Sequence, residues 1–242
     1  MNREKQLSIF KAQTENVQEI VKTWTHLQRT INRELVADNL TSASLHTKLL
    51  ALVFCAWSEA TFSKLIHTPH GLELDEIDQI KKIAQNNIVA GWMKCLTLGL
   101  RKISRKPKSN YVSNIERIVK RIIVEYVHEP RLLRNKIAHG QWKIALNRDN
   151  NDTNSALTRQ IENIDVVILS KWKIAHEGLA NIMEALIESP DRAFHRDYWL
   201  ELAKVDDYLE KAKKWSLEEK IRLLKMKKNR KDRLVGHGTT EF

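Results

Sequence analysis

LLALVFCAW, Leu49 to Trp57, is the longest apolar run in the chain. At nine residues it falls far short of the ~20 needed to span a bilayer, and no membrane partner is expected. Its flanks keep apolar residues at helical spacing, which predicts a helix over about 43–66 at the centre of a core. Upstream, the polar break DNLTSAS separates it from a long helix predicted over 5–38. There Phe10, Val17, Ile20, Val21, Trp24, Leu27 and Ile31 make one stripe. Downstream, HTPHG stops the helix at Pro69 and Gly71.

The same rhythm continues. A third helix is predicted over about 73–103, with Glu73, Asp75 and Glu76 beside the positive end of its dipole. A fourth follows over 110–128. Pro130 is placed to start a short helix, and Gly140 to end it. QWKIAL (141–146) and ALTRQI (156–161), on either side of the turn-forming run NRDNNDTNS, read as a small β-hairpin. Helical spacing returns over 165–188, 192–213 and 216–231. With only seven glycines and four prolines in 242 residues, the fold class is mostly all-α: a helical domain over 1–190, its core at about 40–190, and a basic helical extension over 191–242.

The net charge is +11, and between Lys211 and Arg233 eleven Lys or Arg stand against three acids. A second cluster, RKISRKPK, puts five basic residues between Arg101 and Lys108. Such patches suit a polyanion, nucleic acid above all, or form a solvated surface. Lys102, Arg105, Lys106, Arg131, Lys136, Lys225, Lys227, Lys228 and Arg230 are the candidate contacts to such a polyanion. Cys55 and Cys95 sit in apolar helical patterns and read as buried free thiols of a reducing compartment. The N-terminus has no signal-peptide-like apolar stretch, so the expected location is the cytoplasm.

Chemistry has few places to reside. There is no CxxC pair, HExxH or glycine-rich phosphate loop. His67 and His70 in HTPH lack nearby thiolates or carboxylates, and no metal or cofactor is expected. His176 reads as a satisfied core histidine, and His195 as a surface one. RNKIAHGQW (Arg134 to Trp142) is different. Asn135 and His139 are four apart and share a helix face. Arg134 and His139 are five apart, about 140° around an ideal helix. One rigid helix does not aim both at one phosphate. Either His139 turns inward at the last helical residue, or two copies of the motif face each other across a dimer. The plainer role for a histidine here is to complement the dipole at a helix end, worth roughly 0.3–1 kcal/mol. Trp142 reads as a core anchor more readily than as a base-stacking residue.

RNKIAH, with the trailing AHG, resembles the R-x4-6-H signature of HEPN domains. These are compact bundles of about four to five helices with the motif on a late helix, and the likeness covers roughly residues 40–190. The resemblance implies metal-independent RNA cleavage by attack of the ribose 2′-hydroxyl on the adjacent phosphate. Arg134 would bind the phosphate and His139 would exchange protons. Asn135 would orient His139 or donate to the phosphate. Glu59, in AWSEATFSKLI, would be the acidic residue of the earlier helix. Imidazole titrates near neutrality and guanidinium stays charged, which suits these roles. One motif per chain implies a homodimer, and a free ribonuclease implies an inhibitor or activating partner. The setting implied is a bacterial toxin or antiphage-defence effector; the alternative is a noncatalytic module that binds RNA, nucleotide or a partner protein.

Overall fold

The computed structural model describes residues 1–104 and 110–236, the side chains of 231–236 excepted. The described residues form ten α-helices and no strand: α1 (Arg3–Val36), α2 (Leu40–Ile66), α3 (Leu74–Asn86), α4 (Ile88–Arg101), α5 (Tyr111–Ile123), α6 (Glu129–Ala138), α7 (Ser155–Asn163), α8 (Val166–Glu188), α9 (Ala193–Ala212) and α10 (Leu217–Gly236). An asparagine or aspartate side chain caps five of them. The side chains of Asn2, Asn39, Asn87, Asn154 and Asp165 accept the free N–H groups of the first turns of α1, α2, α4, α7 and α8. Each such cap is worth about 1 kcal/mol.

α1 and α2 pack as a helical pair on one half of the core. Trp24, Ile31 and Leu35 meet Leu50, Phe54 and Trp57 there, along with Leu133 and Ile137 of α6. The other half gathers α3, α4, α5, the far end of α8, and α9 around Trp92, Leu96, Val119, Leu179 and Phe194. α2 and α8 run through both halves, and Trp172 touches both. Among the described residues, α2 alone is long and apolar enough to cross a membrane by length and composition, and half of its most apolar window is buried in the bundle. α8 and α9 pack so closely at Gly178 that a Cβ there would lie 2.1 Å from Val205 Cγ2. Phe194, Tyr198, Leu202 and Val205 of α9 share a core with α4, α5 and α8, so apolar packing crosses the 190/191 boundary drawn from the sequence.

Three expected elements differ. The helix expected over 73–103 is broken at Asn87, which has φ −150° and ψ 102° and whose side chain caps α4. Its apolar rhythm runs on across the break, and that hid it. The β-hairpin is absent. An isolated antiparallel bridge, Leu146 to Thr153, closes the loop, the Ala145 N–H donates to Thr158 Oγ1 at 3.0 Å, and 156–161 lies within α7. Asn154 caps that helix, and Leu157 and Ile161 pack one face of it into the core. A short apolar run does not by itself separate strand from helix. Pro130 stands at the start of α6 as expected, but no break precedes it. The chain stays helical from Tyr111 to Ala138 through a π turn at Val124–His128. Proline has no N–H to give the Tyr126 carbonyl four residues back. Nδ1 of buried His176 approaches that oxygen at 3.4 Å instead.

α10 is helical, as expected, and lies against the bundle. Leu217, Ile221 and Leu224 pack on the α1–α2 half of the core, and Lys225 pairs with Asp38 at the end of α1, 2.6 Å away. GHGTTEF, expected to lack structure, falls outside the described residues from His237 onward.

Candidate functional site on α6

α6 turns its Leu133 and Ile137 into the core and leaves Arg131, Arg134, Asn135 and His139 on the remaining faces. It ends by main-chain bonds alone. Gly140, at φ +80°, lets its own N–H reach the Ile137 carbonyl at 3.1 Å, and the Gln141 N–H reach that of Lys136 at 2.9 Å. The His139 imidazole takes no part in this. It is exposed and makes no hydrogen bond or ion pair among the described residues. The other histidines shown to be bonded serve the fold. His46 pairs with Glu34, His67 donates to the Ser63 carbonyl, and His195, expected at the surface, is largely covered and bonded to the Tyr111 hydroxyl at 2.6 Å. His176 is fully buried between Phe54, Trp57 and Trp92 and accepts from Ser58 at 3.1 Å. Burial holds its pKa down at about 4.

Arg134 sits in a different environment. Its guanidinium forms an ion pair with Glu59 of α2, 28 % of its side chain is exposed, and its Nε is buried with no acceptor among the described residues. Beside it lies Cys55, whose thiol is pushed up to about 12 by burial against the pull of the Arg134 charge. A neutral thiol is no counterion. A partly exposed pair such as Arg134–Glu59 contributes about 0–1 kcal/mol, little enough for a phosphate to displace the carboxylate.

The two motif residues line separate cavities. Arg134 lies with Glu59 and Arg131 around one of about 360 Å³, between α2, α3, α4 and α6. His139 lies with Asn135 and Lys136 around another of about 680 Å³, walled by the loop and α7. His139 therefore does not turn inward to join Arg134 within one chain. On the helix Asn135 stands between them, 100° from Arg134, with the exposed, small Ala138 alongside.

The expected RNA contacts are scattered. Lys102 is tied to the Gly71 carbonyl at 2.5 Å and to Glu76 at 3.4 Å; Lys136 is tied to the Leu146 carbonyl at 2.6 Å. Arg131 lies 3.4 Å from Asn87 Oδ1 at the mouth of the Arg134 cavity. Lys227, Lys228 and Arg230 are exposed on α10. Arg105 and Lys106 lie outside the described residues. Trp142 is half-buried against the core. Among the described residues, no three of His, Cys, Asp and Glu converge as metal ligands would. His67 and Lys81 in the Arg134 cavity and Arg148 in the His139 cavity carried no sequence signal, since each reaches its cavity from a different element. No protein-family model, no curated protein and no solved structure matches this chain.

Proposed function

We propose that the protein is a metal-independent cytoplasmic endoribonuclease of HEPN type, of the toxin or antiphage-defence sort, active as a symmetric dimer. The observation that carries this reading is the state of His139: an exposed imidazole, spare of any structural bond, at a helix end that glycine and the main chain already close. In the reaction a 2′-hydroxyl attacks the neighbouring phosphorus and loses its proton to one imidazole. The 5′-oxygen leaves with a proton given by the dimer's other, protonated imidazole, and a 2′,3′-cyclic phosphate remains. Arg134 releases Glu59 and neutralises the phosphate oxygens as charge builds on them.

A second copy answers the separation of Arg134 from His139, and α2 offers a surface for it. Leu45, Leu49, Leu52 and Ala56 follow a three–four spacing along that helix and lead to Glu59, with Leu45 49 % and Leu49 38 % exposed. Such a seam suits another α2. The second reading, a noncatalytic binding module, draws on the same separation, because within a single chain His139 does not reach the Arg134 cavity and Glu59, which does, is held in an ion pair with the arginine.

The deciding experiment is cleavage of end-labelled RNA in EDTA by the wild type, His139→Ala and Arg134→Ala, with melting temperatures matched. Loss of about 10²–10⁴ in rate for His139→Ala, with cyclic-phosphate ends in the wild type, supports the nuclease. Equal cutting by all three sinks it. Leu49→Arg is expected to give a monomer by light scattering and to abolish cleavage together; a monomer that still cuts removes the dimer from the mechanism.

A further inference from the structure

The cavity at Arg134 holds more than a phosphate needs. Its inner end is formed by His67, at the C-terminus of α2 and only 2 % exposed, and its mouth by Arg131 and Arg134. Between them Phe62, Ile66, Ala84 and Ile88 supply apolar walls. The His67 ring is fixed in one tautomer, because Nδ1 lies 2.6 Å from the Ser63 carbonyl and donates to it. Burial lowers the pKa of this ring, which keeps Nε2 unprotonated. That Nε2 is an acceptor, buried, with no partner among the described residues. A buried polar atom left unpaired is costly, and a ligand donor would satisfy it.

We propose that this cavity is a nucleobase subsite: the base flanking the phosphate held by Arg131 and Arg134 enters it and donates an N–H to His67 Nε2. The proposal rests on the ribonuclease reading for its substrate, RNA, and extends it to base recognition. A simple anion does not account for the site, since Nε2 and Glu59 both repel negative charge. The two ends require opposite chemistry, a hydrogen-bond donor inside and an anion at the mouth, joined by an apolar body. A nucleotide has all three. Lys81, at the same cavity, adds a third positive charge, beside Arg131 and Arg134, for the backbone.

The test is calorimetric titration of the full-length protein with the four nucleoside 5′-monophosphates and with ribose 5-phosphate, which carries the anion without a base. At least one nucleotide is expected to bind about tenfold tighter than ribose 5-phosphate. His67→Phe keeps the ring but not the acceptor and is expected to erase that difference. His67→Gln, whose side-chain oxygen accepts, is expected to restore part of it. Arg131→Gln is expected to weaken all five ligands alike. Ile88→Trp fills the cavity without touching His67 and serves if the His67 variants do not fold. Nucleotides binding no better than ribose 5-phosphate, or a base preference that survives both His67→Phe and Ile88→Trp, overturns the proposal. RNA cleavage without base-dependent binding leaves the nuclease standing and removes the subsite. Base-dependent binding lost on His67→Phe, in a protein that cuts no RNA, does the reverse.

Discussion

α6 meets a histidine at each end, and the two differ in every physical respect. At its start, His176 reaches across from α8 to the Tyr126 carbonyl that Pro130 leaves without a donor, with Ser58 and three aromatic rings enclosing it. At its end, His139 projects from a turn already closed by Gly140. The buried histidine helps to hold the helix in place, whereas the exposed one makes no structural bond among the described residues. A histidine at a helix end therefore says little until the donors and acceptors around it are counted.

The contrast can be broken most sharply at its exposed end. His139→Ala is expected to cost about 10²–10⁴ in RNA cleavage while leaving the urea midpoint within about 0.5 kcal/mol of wild type. A large stability loss would return His139 to a structural role. His176→Ala should do the opposite first, destabilising by about 2–4 kcal/mol through a cavity and two orphaned partners, as urea unfolding would record.

The same residue gives the fold an acid dependence. Its pKa falls from 6.5 to about 4 on folding, so the unfolded chain takes up the proton first. The stability this neutral histidine contributes is complete above pH 6.5, and it is lost as pH falls from 6.5 toward 4. The loss amounts to roughly 3 kcal/mol. A urea midpoint that stays flat over that window would show His176 to be less enclosed than described. His67, lowered in the same direction by burial, adds to the slope.

Smaller effects sharpen the account of the helix end. Gly140→Ala meets no atom within 4 Å, so its cost is the left-handed backbone alone, about 1–2 kcal/mol in urea unfolding. A neutral result would mean that the turn at His139 readily rearranges. Smallest is Lys225→Ala. It breaks the exposed pair with Asp38 and is expected to change stability by less than about 1 kcal/mol. It should also lower the salt dependence of RNA binding if α10 grips the backbone.

Much of the fold was legible because its causes are local. The apolar stripe of α1, the nearly all-apolar α2, and the break at Ser189–Pro190 are each written within a few turns of chain. Asn87 and Asn154 were harder to read, because an asparagine marks a helix start as readily as a loop, and only the packing of Leu157 and Ile161 distinguishes α7 from a strand. The motif itself was legible on α6, including the angular separation of Arg134 from His139. Its surroundings were legible only in part. Glu59 was nominated through the family resemblance, and α2 does set it beside Arg134. Cys55 and His67, which come to the same arginine from α2 and the turn that closes it, were not assigned to the site.

A mostly helical chain, the approximate course of its long helices, and an arginine, asparagine and histidine on one of them follow from local pattern, because helix periodicity, capping and glycine stops act over a few residues. The enclosure of His176, the exposure of His139, the π turn that passes Pro130, and the separate cavities of Arg134 and His139 arise only once the helices pack. Those outcomes depend on which donors, acceptors and apolar walls meet across distances of up to a hundred residues and more along the chain, as Ser58 and His176 do, and no local pattern carries that information.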